Sequence, residues 1–349
     1  MARLASDGFD YYSAGNEAIL GGKWDIGSGN YSTNFGGRFG GSALWLNSTP
    51  PALKNFGSNE TTLFIHVAHI FVPALTPGGT AVNAFVQFRD GATAQLSICF
   101  TNGGTIEIRS GGITGTLQAT FAGAHPGNGI YNGFVFKVVI NNTTGSVECR
   151  RDGATSNTFA ATNINTRGGT SNNYANTIVL SSNASNNTAF DDFVLWNTTP
   201  ATGELSDWSG ELRVETLYPN ADTAQKDFSR STGSSNFALV DESKSNSDTD
   251  YVFSSTVNHK DLYDLTNLSS TPANIYGVEA HMFARKTDAG LKQSQIRVKS
   301  GATEVGGTDT VLTTSYVMQS HFLSTDPDTG VAWTATAINA LQVGPKVTA

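Results

Sequence analysis

The stretch NTAFDDFVLWNTTPATGELSDWSGELRVETLYPN, residues 187–220, decides how this chain is organised. Phe190-Asp191-Asp192-Phe193-Val194-Leu195-Trp196 reads as a strand, with Val194 and Trp196 on one face and Phe193 and Leu195 on the other. Apolar side chains on both faces predict a central strand, buried on both sides. The run from Glu211 to Pro219 alternates strictly, placing Leu212, Val214, Thr216 and Tyr218 opposite Glu211, Arg213, Glu215 and Leu217. That pattern predicts a half-solvated strand stopped by Pro219, which has no amide N–H to give a ladder. Between the two, Asn197-Thr198-Thr199-Pro200-Ala201-Thr202-Gly203 is rich in turn formers and has no apolar run. One domain therefore closes here and a second opens, giving residues 1–200 and 201–349.

The surrounding composition agrees. At 349 residues the chain is long enough for two domains, and charge of only 14% with 37 Gly points to β-structure with many turns. A net charge of -8 and 10% aromatics argue against disorder. No Lys/Arg cluster stands ready to neutralise phosphates, so nucleic acid is not an expected partner. No window approaches the roughly 18 apolar residues of a membrane span, and the first residues lack a signal-peptide core. The expectation is synthesis in a cytosol without membrane association, in a protein whose composition suits a robust exterior part. A virus particle satisfies both.

Strand-length apolar runs recur between turns. Thr61 to Val72 is the strongest, followed by a turn at Thr76-Pro77-Gly78-Gly79. Asp90-Gly91, Asn102-Gly103-Gly104, Gly111-Gly112 and Asp152-Gly153 punctuate the next strands as hairpin signals. The second half continues with Phe237–Asp241, Asp250–Ser255, Ile275–Arg285, Ser294–Ser300 and Ser315–Leu323, and a short helical turn is predicted after Thr334. Phe9-Asp10 near the start and Phe190–Phe193 near the close of the first half are expected to lie on neighbouring strands. The fold class is all-β, two tandem antiparallel β-sandwich (jelly-roll) domains. Cys99 and Cys149 read as buried free thiols, with a disulfide left open because spacing cannot decide pairing.

Two local patterns carry a resemblance. Phe134–Ile140, then Asn-Asn-Thr-Thr-Gly, then Ser146–Gly153, resembles the central hairpin of concanavalin-A-like or laminin-G-like jelly rolls, and Phe190–Trp196 looks like their final strand. Gly210–Pro219, Asp241-Glu242, Asp248–Val252, Ala284–Gly290 and Asp326–Thr334, taken as a set, resemble the C-terminal half of structural proteins of tailed bacteriophages and prophages. The resemblance implies a virion component.

Concanavalin-A-like folds include glycoside hydrolases, which need two carboxylates about 5 Å apart for retaining chemistry. Glu107, Glu148 and Glu279 are isolated on their strands. Asp191 and Asp192 are adjacent, so a regular strand sends them to opposite faces and they cannot line one cleft. No catalytic residue is expected. His66 and His69 are three apart and also face opposite ways, which disfavours metal ligation and makes them core or edge histidines. Asp241-Glu242 and Asp248-x-Asp250 could offer hard oxygen ligands, yet without the glycine and final glutamate of an EF-hand they read as a charged turn. No metal or cofactor is expected. Asp326-Pro327-Asp328-Thr329-Gly330 reads as a turn, with Asp328 bonding the backbone two residues on and Gly330 at positive φ; Trp333 after it reads as a core plug. Tyr31, Tyr131, Asn172 and Tyr174 combine aromatic faces with amides in predicted loops, the chemistry that stacks on a sugar ring and reads its hydroxyls.

The function expected is that of a structural component of a tailed-phage virion, exposed on the particle as a tail-tip, fibre, head-fibre or decoration protein, with host-surface glycan as a ligand. A capsid cement protein is the alternative, and a glycan depolymerase a more remote one. Expected partners are other capsid or tail proteins and further copies of the chain, a trimer by particle symmetry.

Overall fold

The computed structural model describes residues 3–12, 22–25, 31–46, 51–71, 78–127, 129–183, 188–243 and 245–349, without the side chains of 31–34. Ile26, Asn30, Asn128 and the segment 72–77 lie outside the described residues, as does the side chain of Tyr31. The chain packs as two compact units. One comprises Met1–Asp10, Ala14–Pro200 and Leu205–Val214; the other comprises Tyr11–Ser13, Ala201–Glu204 and Glu215–Ala349.

The first unit contains β1 (Arg3–Asp7), β2 (Tyr31–Gly36), β3 (Ser42–Leu46), β4 (Ala52–Glu60), β5 (Thr62–Phe71), β6 (Val82–Asp90) and β7 (Thr93–Thr101). It continues with β8 (Ile106–Ser110), β9 (Thr116–Phe121), β10 (Asn132–Val139), β11 (Gly145–Arg151), β12 (Phe159–Ile164), β13 (Ala175–Ser182) and β14 (Thr188–Asn197). One sheet runs β12-β11-β10-β5-β14-β3-β2, with β1 also on β14; the other runs β4-β13-β6-β7-β8-β9. Every pairing is antiparallel, and the chain switches sheets on either side of β4, between β5 and β6, between β9 and β10, and on either side of β13. This is the sandwich the apolar runs predict.

Phe100 of β7 is the hub between the sheets. It stacks on His69 at 4.5 Å and meets Phe134, Phe136 and Phe190 edge-on. These positions therefore face the core. By the period of two, Phe64, His66 and Ala68 of β5, Lys137 of β10, Arg150 of β11 and Trp196 of β14 face outward from the first sheet. At Asp152-Gly153, where the chain leaves β11 towards β12, both residues have positive φ (50° and 77°), the mirror-image turn that suits the twist of paired antiparallel strands. β1 pairs with β14 from Arg3↔Trp196 to Asp7↔Phe193, so the terminal pairing is real but uses Arg3–Asp7 rather than Phe9-Asp10. Asp7 holds the turn that follows, accepting from the Phe9 amide (2.9 Å) and the Trp24 Nε1–H (2.8 Å).

The second unit contains β15 (Pro219–Lys226), β16 (Ser229–Arg230), β17 (Val252–Phe253), β18 (Asp261–Leu265), β19 (Val278–Ala284), β20 (Gln293–Ser300), β21 (Thr303–Gly306), β22 (Thr310–Val311), β23 (Val317–Leu323) and β24 (Gln342–Val347). Its main sheet runs β15-β18-β24-β20-β21 with β22 on β20, and β19 pairs with β23 as a separate ribbon. Ala280 of the ribbon and Ile296 and Val298 of the sheet enclose one core with Trp333, Ile338 and Leu341. Trp333 is the plug expected of it, its Nε1–H donating to the Leu323 carbonyl at 3.1 Å. The helical turn after Thr334 is a short helix, α1 (Ala335–Asn339), capped by the Thr334 hydroxyl, which accepts from the Ala337 amide.

Three local readings are corrected. The segment 211–218 is not a strand, and Pro219 begins β15 rather than ending one. Its amides are met by side chains instead of a ladder, as where Val214 donates to Asp192 Oδ1 at 2.7 Å, so alternation there reflects packing without pairing. Phe237–Leu239 is a 3-10 turn, because Asp222 accepts from the Asn236 and Phe237 amides and curls the backbone. In the 326–330 turn Asp326 bonds the backbone two residues on, while Asp328 reaches across to Ala302 and Thr303.

Both cysteines are free and buried, Cys99 in β7 of one sheet and Cys149 in β11 of the other. Burial pushes the Cys99 thiol up to about 12 and raises that of Cys149 as well. A thiol titration should find no reactive group in the folded protein and both after denaturation. Trp333→Ala should destabilise the second unit by about 3–5 kcal/mol in a denaturant melt, the loss typical of an aromatic core truncation.

Candidate functional site

β14 is buried along its whole length, yet it carries two adjacent carboxylates. In its pairing with β5, Asp191 sits opposite Ala68 and Val194 opposite His66. Two residues, Asp192 and Phe193, therefore face the single residue Val67, which makes a β-bulge. Asp192 takes up the extra length in the left-handed region, φ 49°. The bulge overturns the expectation that the two aspartates point to opposite faces, since both carboxyls converge on Arg38. Asp191 Oδ2 accepts from the Arg38 amide (2.7 Å), Asp191 Oδ1 from the Asp192 amide (2.8 Å), and Asp192 Oδ2 lies 3.7 Å from Arg38 Nη1. The Arg38 guanidinium also pairs with Glu211, while its flat face and that of Arg213 lie over the half-exposed Phe39 ring at 4.9 and 4.6 Å.

The electrostatics follow from burial. Desolvation, reinforced by the neighbouring carboxyl, pushes Asp191 up to about 8; desolvation raises Asp192 to about 6 against the Val214 amide and Arg38. His66, wholly buried on the same face, gives its Nδ1–H to the Asp192 carbonyl at 2.7 Å. Its Nε2 is then an acceptor, and that atom has no hydrogen-bond partner among the described residues. Burial lowers its pKa to about 4.

His69 faces the core and joins a residue the spacing did not suggest, His125. Their ring nitrogens meet at 2.9 Å, and the chain of contacts assigns every proton. The Gly127 amide donates to His125 Nδ1 at 3.0 Å, so His125 carries its proton on Nε2 and donates to His69 Nδ1. His69 then donates from Nε2 to the Thr188 hydroxyl, which donates to the Ile70 carbonyl at 3.1 Å. Both imidazoles are neutral with their nitrogens used, which makes them structural; burial lowers His125 to about 3 and His69 well below its ordinary range.

The four aromatic and amide candidates do not form one group. Asn172 and Tyr174 meet: Asn172 Nδ2 donates to Asp90 Oδ2 (2.8 Å) and to the Tyr174 hydroxyl (2.9 Å), and Gln95 Nε2 donates to the Asn172 carbonyl. That cluster lies at the Thr93 end of β7. Tyr131 packs on Phe35 and donates to the Gly36 carbonyl at 2.9 Å, beside Asn132, which pairs with His69 near the Phe100 end of β7. The two ends of β7 are separated by about 26 Å of strand. Tyr31 begins β2, opposite Leu46, and its side chain lies outside the described residues. In the second unit, Asp248 is engaged by Arg285 Nε and Nη2 at 3.0 Å and by the Tyr316 hydroxyl, and Glu242 and Asp250 are bridged by Asn246. Among the described residues no group of three or more His, Cys, Asp or Glu is placed to hold a metal.

No protein-family profile and no curated protein matches the sequence. Among solved structures, the chain is similar to a carbohydrate esterase from the Shiga toxin-encoding bacteriophage phi24B (TM-score 0.35, 13% identity, 55% of this chain and 99% of that one). It is also similar to a galectin-like protein of unknown function from Bacillus subtilis (TM-score 0.37, 11% identity, 56% and 96%). A third is the CBM2 module of the evolved Dit of Lactobacillus casei BL23 phage J-1 (TM-score 0.32, 8% identity, 56% and 95%).

The two sets of buried groups act on stability in opposite directions. The histidines bind protons more weakly folded than unfolded, so their contribution is lost as pH falls below about 6.5, towards 4 for His66 and 3 for His125. The aspartates bind protons more tightly folded, so their contribution is greatest at low pH and is lost as pH rises from 3.8 towards about 6 for Asp192 and about 8 for Asp191. Asp191→Asn should lower the melting temperature at pH 5, because its amide meets a backbone N–H, while flattening the decline between about pH 6 and 8.5. An unchanged slope in that window would show that Asp191 does not titrate there.

Proposed function

We propose that this chain is a structural component of a tailed-phage virion, exposed on the particle surface, whose first unit binds host-surface glycan. The observation that carries this reading is how the motifs resembling phage structural proteins are used in the second unit. Asp248 of one motif and Arg285 of another join directly as a two-point ion pair, and Asp326 and Trp333 of a third hold a turn and the core. Residues that resemble a family as a set are here the residues that build one fold. The two-sheet sandwich of the first unit supports the lectin-like half of the reading, and the amide–phenol cluster at Asn172 and Tyr174 offers hydroxyl-reading chemistry beside an aromatic ring.

The reading assigns no catalysis. Three of the four oxygens of Asp191 and Asp192 accept backbone N–H groups, which suits carboxylates that pin loops. Copies of the chain follow the symmetry axes of the particle.

Cryo-electron microscopy of intact particles should place this chain on the exterior, either over the head lattice or at the tail end. Its absence from the particle would overturn the virion assignment. The isolated protein should bind host-envelope polysaccharide at millimolar sugar or better without releasing reducing ends; sugar release would make it a depolymerase.

A further inference from the structure

Leu205–Val214 packs within the first unit although it follows the last strand of that unit. It forms no strand; side chains and single amides hold it to the outward face of the first sheet. Trp208 meets Phe64 edge-on at 5.6 Å, with the Arg150 guanidinium over its ring at 4.2 Å. The Asp207 carbonyl accepts from Trp196 Nε1, Glu211 pairs with Arg38, and the Val214 amide donates to Asp192. Phe64 and His66 are two residues apart on one face, about 7 Å. Trp208 thus lies against Phe64, Glu211 beside Arg38 and Gly133, and Val214 against Asp192, whose carbonyl takes the His66 Nδ1–H.

What lies along this path is poorly served by the segment. His66 Nε2, Arg38 Nη1, Asp192 Oδ2 and Ser209 Oγ are all buried and have no hydrogen-bond partner among the described residues. His66 has no exposed surface and Asp192 is 2% exposed. Arg38 Nη1 and Asp192 Oδ2 meet each other only as an ion pair at 3.7 Å, and no hydrogen bond from the segment reaches His66 Nε2. A ring bearing vicinal hydroxyls fits them better: it can donate to His66 Nε2 and Asp192 Oδ2, accept from Arg38 Nη1, and lie on the Phe64–Trp196 pair, which is stacked at 5.4 Å. Around Trp208 the same face carries the partly buried side chains of Lys137, Glu148 and Arg150, a route by which a chain of sugars could reach it.

The geometry points to Leu205–Val214 as a displaceable strap, seated on a neutral-hexose-binding face of the first sheet and released when an oligosaccharide takes its place. This rests on the glycan-binding reading above and moves the principal site from the loop tips to the strapped face.

Hydrogen exchange of the full chain, with and without neutral hexose and N-acetylhexosamine oligosaccharides at millimolar concentration, tests this. Saturating sugar should raise exchange over residues 207–214 at least about tenfold, the size of a population shift that opens the strap. Val214→Pro removes the amide given to Asp192 and should tighten sugar binding about fivefold or more; Trp208→Ala replaces it if a thermal melt shows that the proline variant does not fold. Sugar binding that leaves strap exchange unchanged and is abolished by Asn172→Ala overturns the strap and keeps the glycan reading. Folded variants with unaltered affinity also overturn the strap. Sugar that binds neither the native chain nor the variants overturns both.

Discussion

A strand with no exposed residue cannot leave a carboxylate to water, and β14 carries two. Everything around the first sheet's outward face answers that constraint. The bulge at Asp192 turns both carboxyls to one side, the loop at Gly37-Arg38 supplies an amide and a guanidinium, and the Leu205–Val214 segment supplies another amide and Glu211. The cost of burying an unpaired charge in such a place is several kcal/mol, so the partners must come from wherever the chain can bring them. This is why a connector between two units is drawn back over the first.

The core side of the same sheet meets a similar demand differently. His69 and His125 sit among phenylalanines, where a charged imidazole would be unstable. A directional run of hydrogen bonds from the Gly127 amide to the Ile70 carbonyl keeps both rings neutral and fixes their tautomers. Neutral rings inside and proton-holding carboxyls outside give the first unit opposing acid and alkaline liabilities. In the second unit, Asp261 has no exposed surface and accepts from the Asp227 and Phe228 amides, Asn236 Nδ2 and the Tyr263 hydroxyl. There the partners are a loop and a neighbouring strand position, and the polar group is fully satisfied.

That contrast is informative about function. Asp261 and the histidine chain show how completely this protein can pair buried polar groups where the role is structural. The outward face beneath the strap departs from that standard at His66 Nε2, Arg38 Nη1 and Asp192 Oδ2, which lie around one residue, whereas other buried atoms without a hydrogen-bond partner among the described residues, such as Ser110 Oγ and Gln319 Oε1, are scattered through both units. Sites that exchange one occupant for another commonly accept such incompleteness in one of their states.

The sequence by itself determined the all-β class, the central position of the strand at 188–197, the hairpin turns at Asp90-Gly91 and Asp152-Gly153, the core role of Trp333 and the helical turn capped by Thr334. These are local properties: side-chain period, positive-φ turns and capping are set by residues within a few positions of one another. Only the tertiary structure decided that Asp191 and Asp192 share a face, that His125 meets His69, that Tyr131 lies far along the sandwich from Asn172, and that 211–218 joins no sheet, with 211–214 packed in the first unit and 215–218 in the second. A bulge changes the parity of every residue beyond it, and it forms where a neighbouring strand imposes its register. Contacts between residues 56 positions apart, as in the histidine pair, or 173 apart, as between Arg38 and Glu211, depend on that register and leave no periodic trace in the chain.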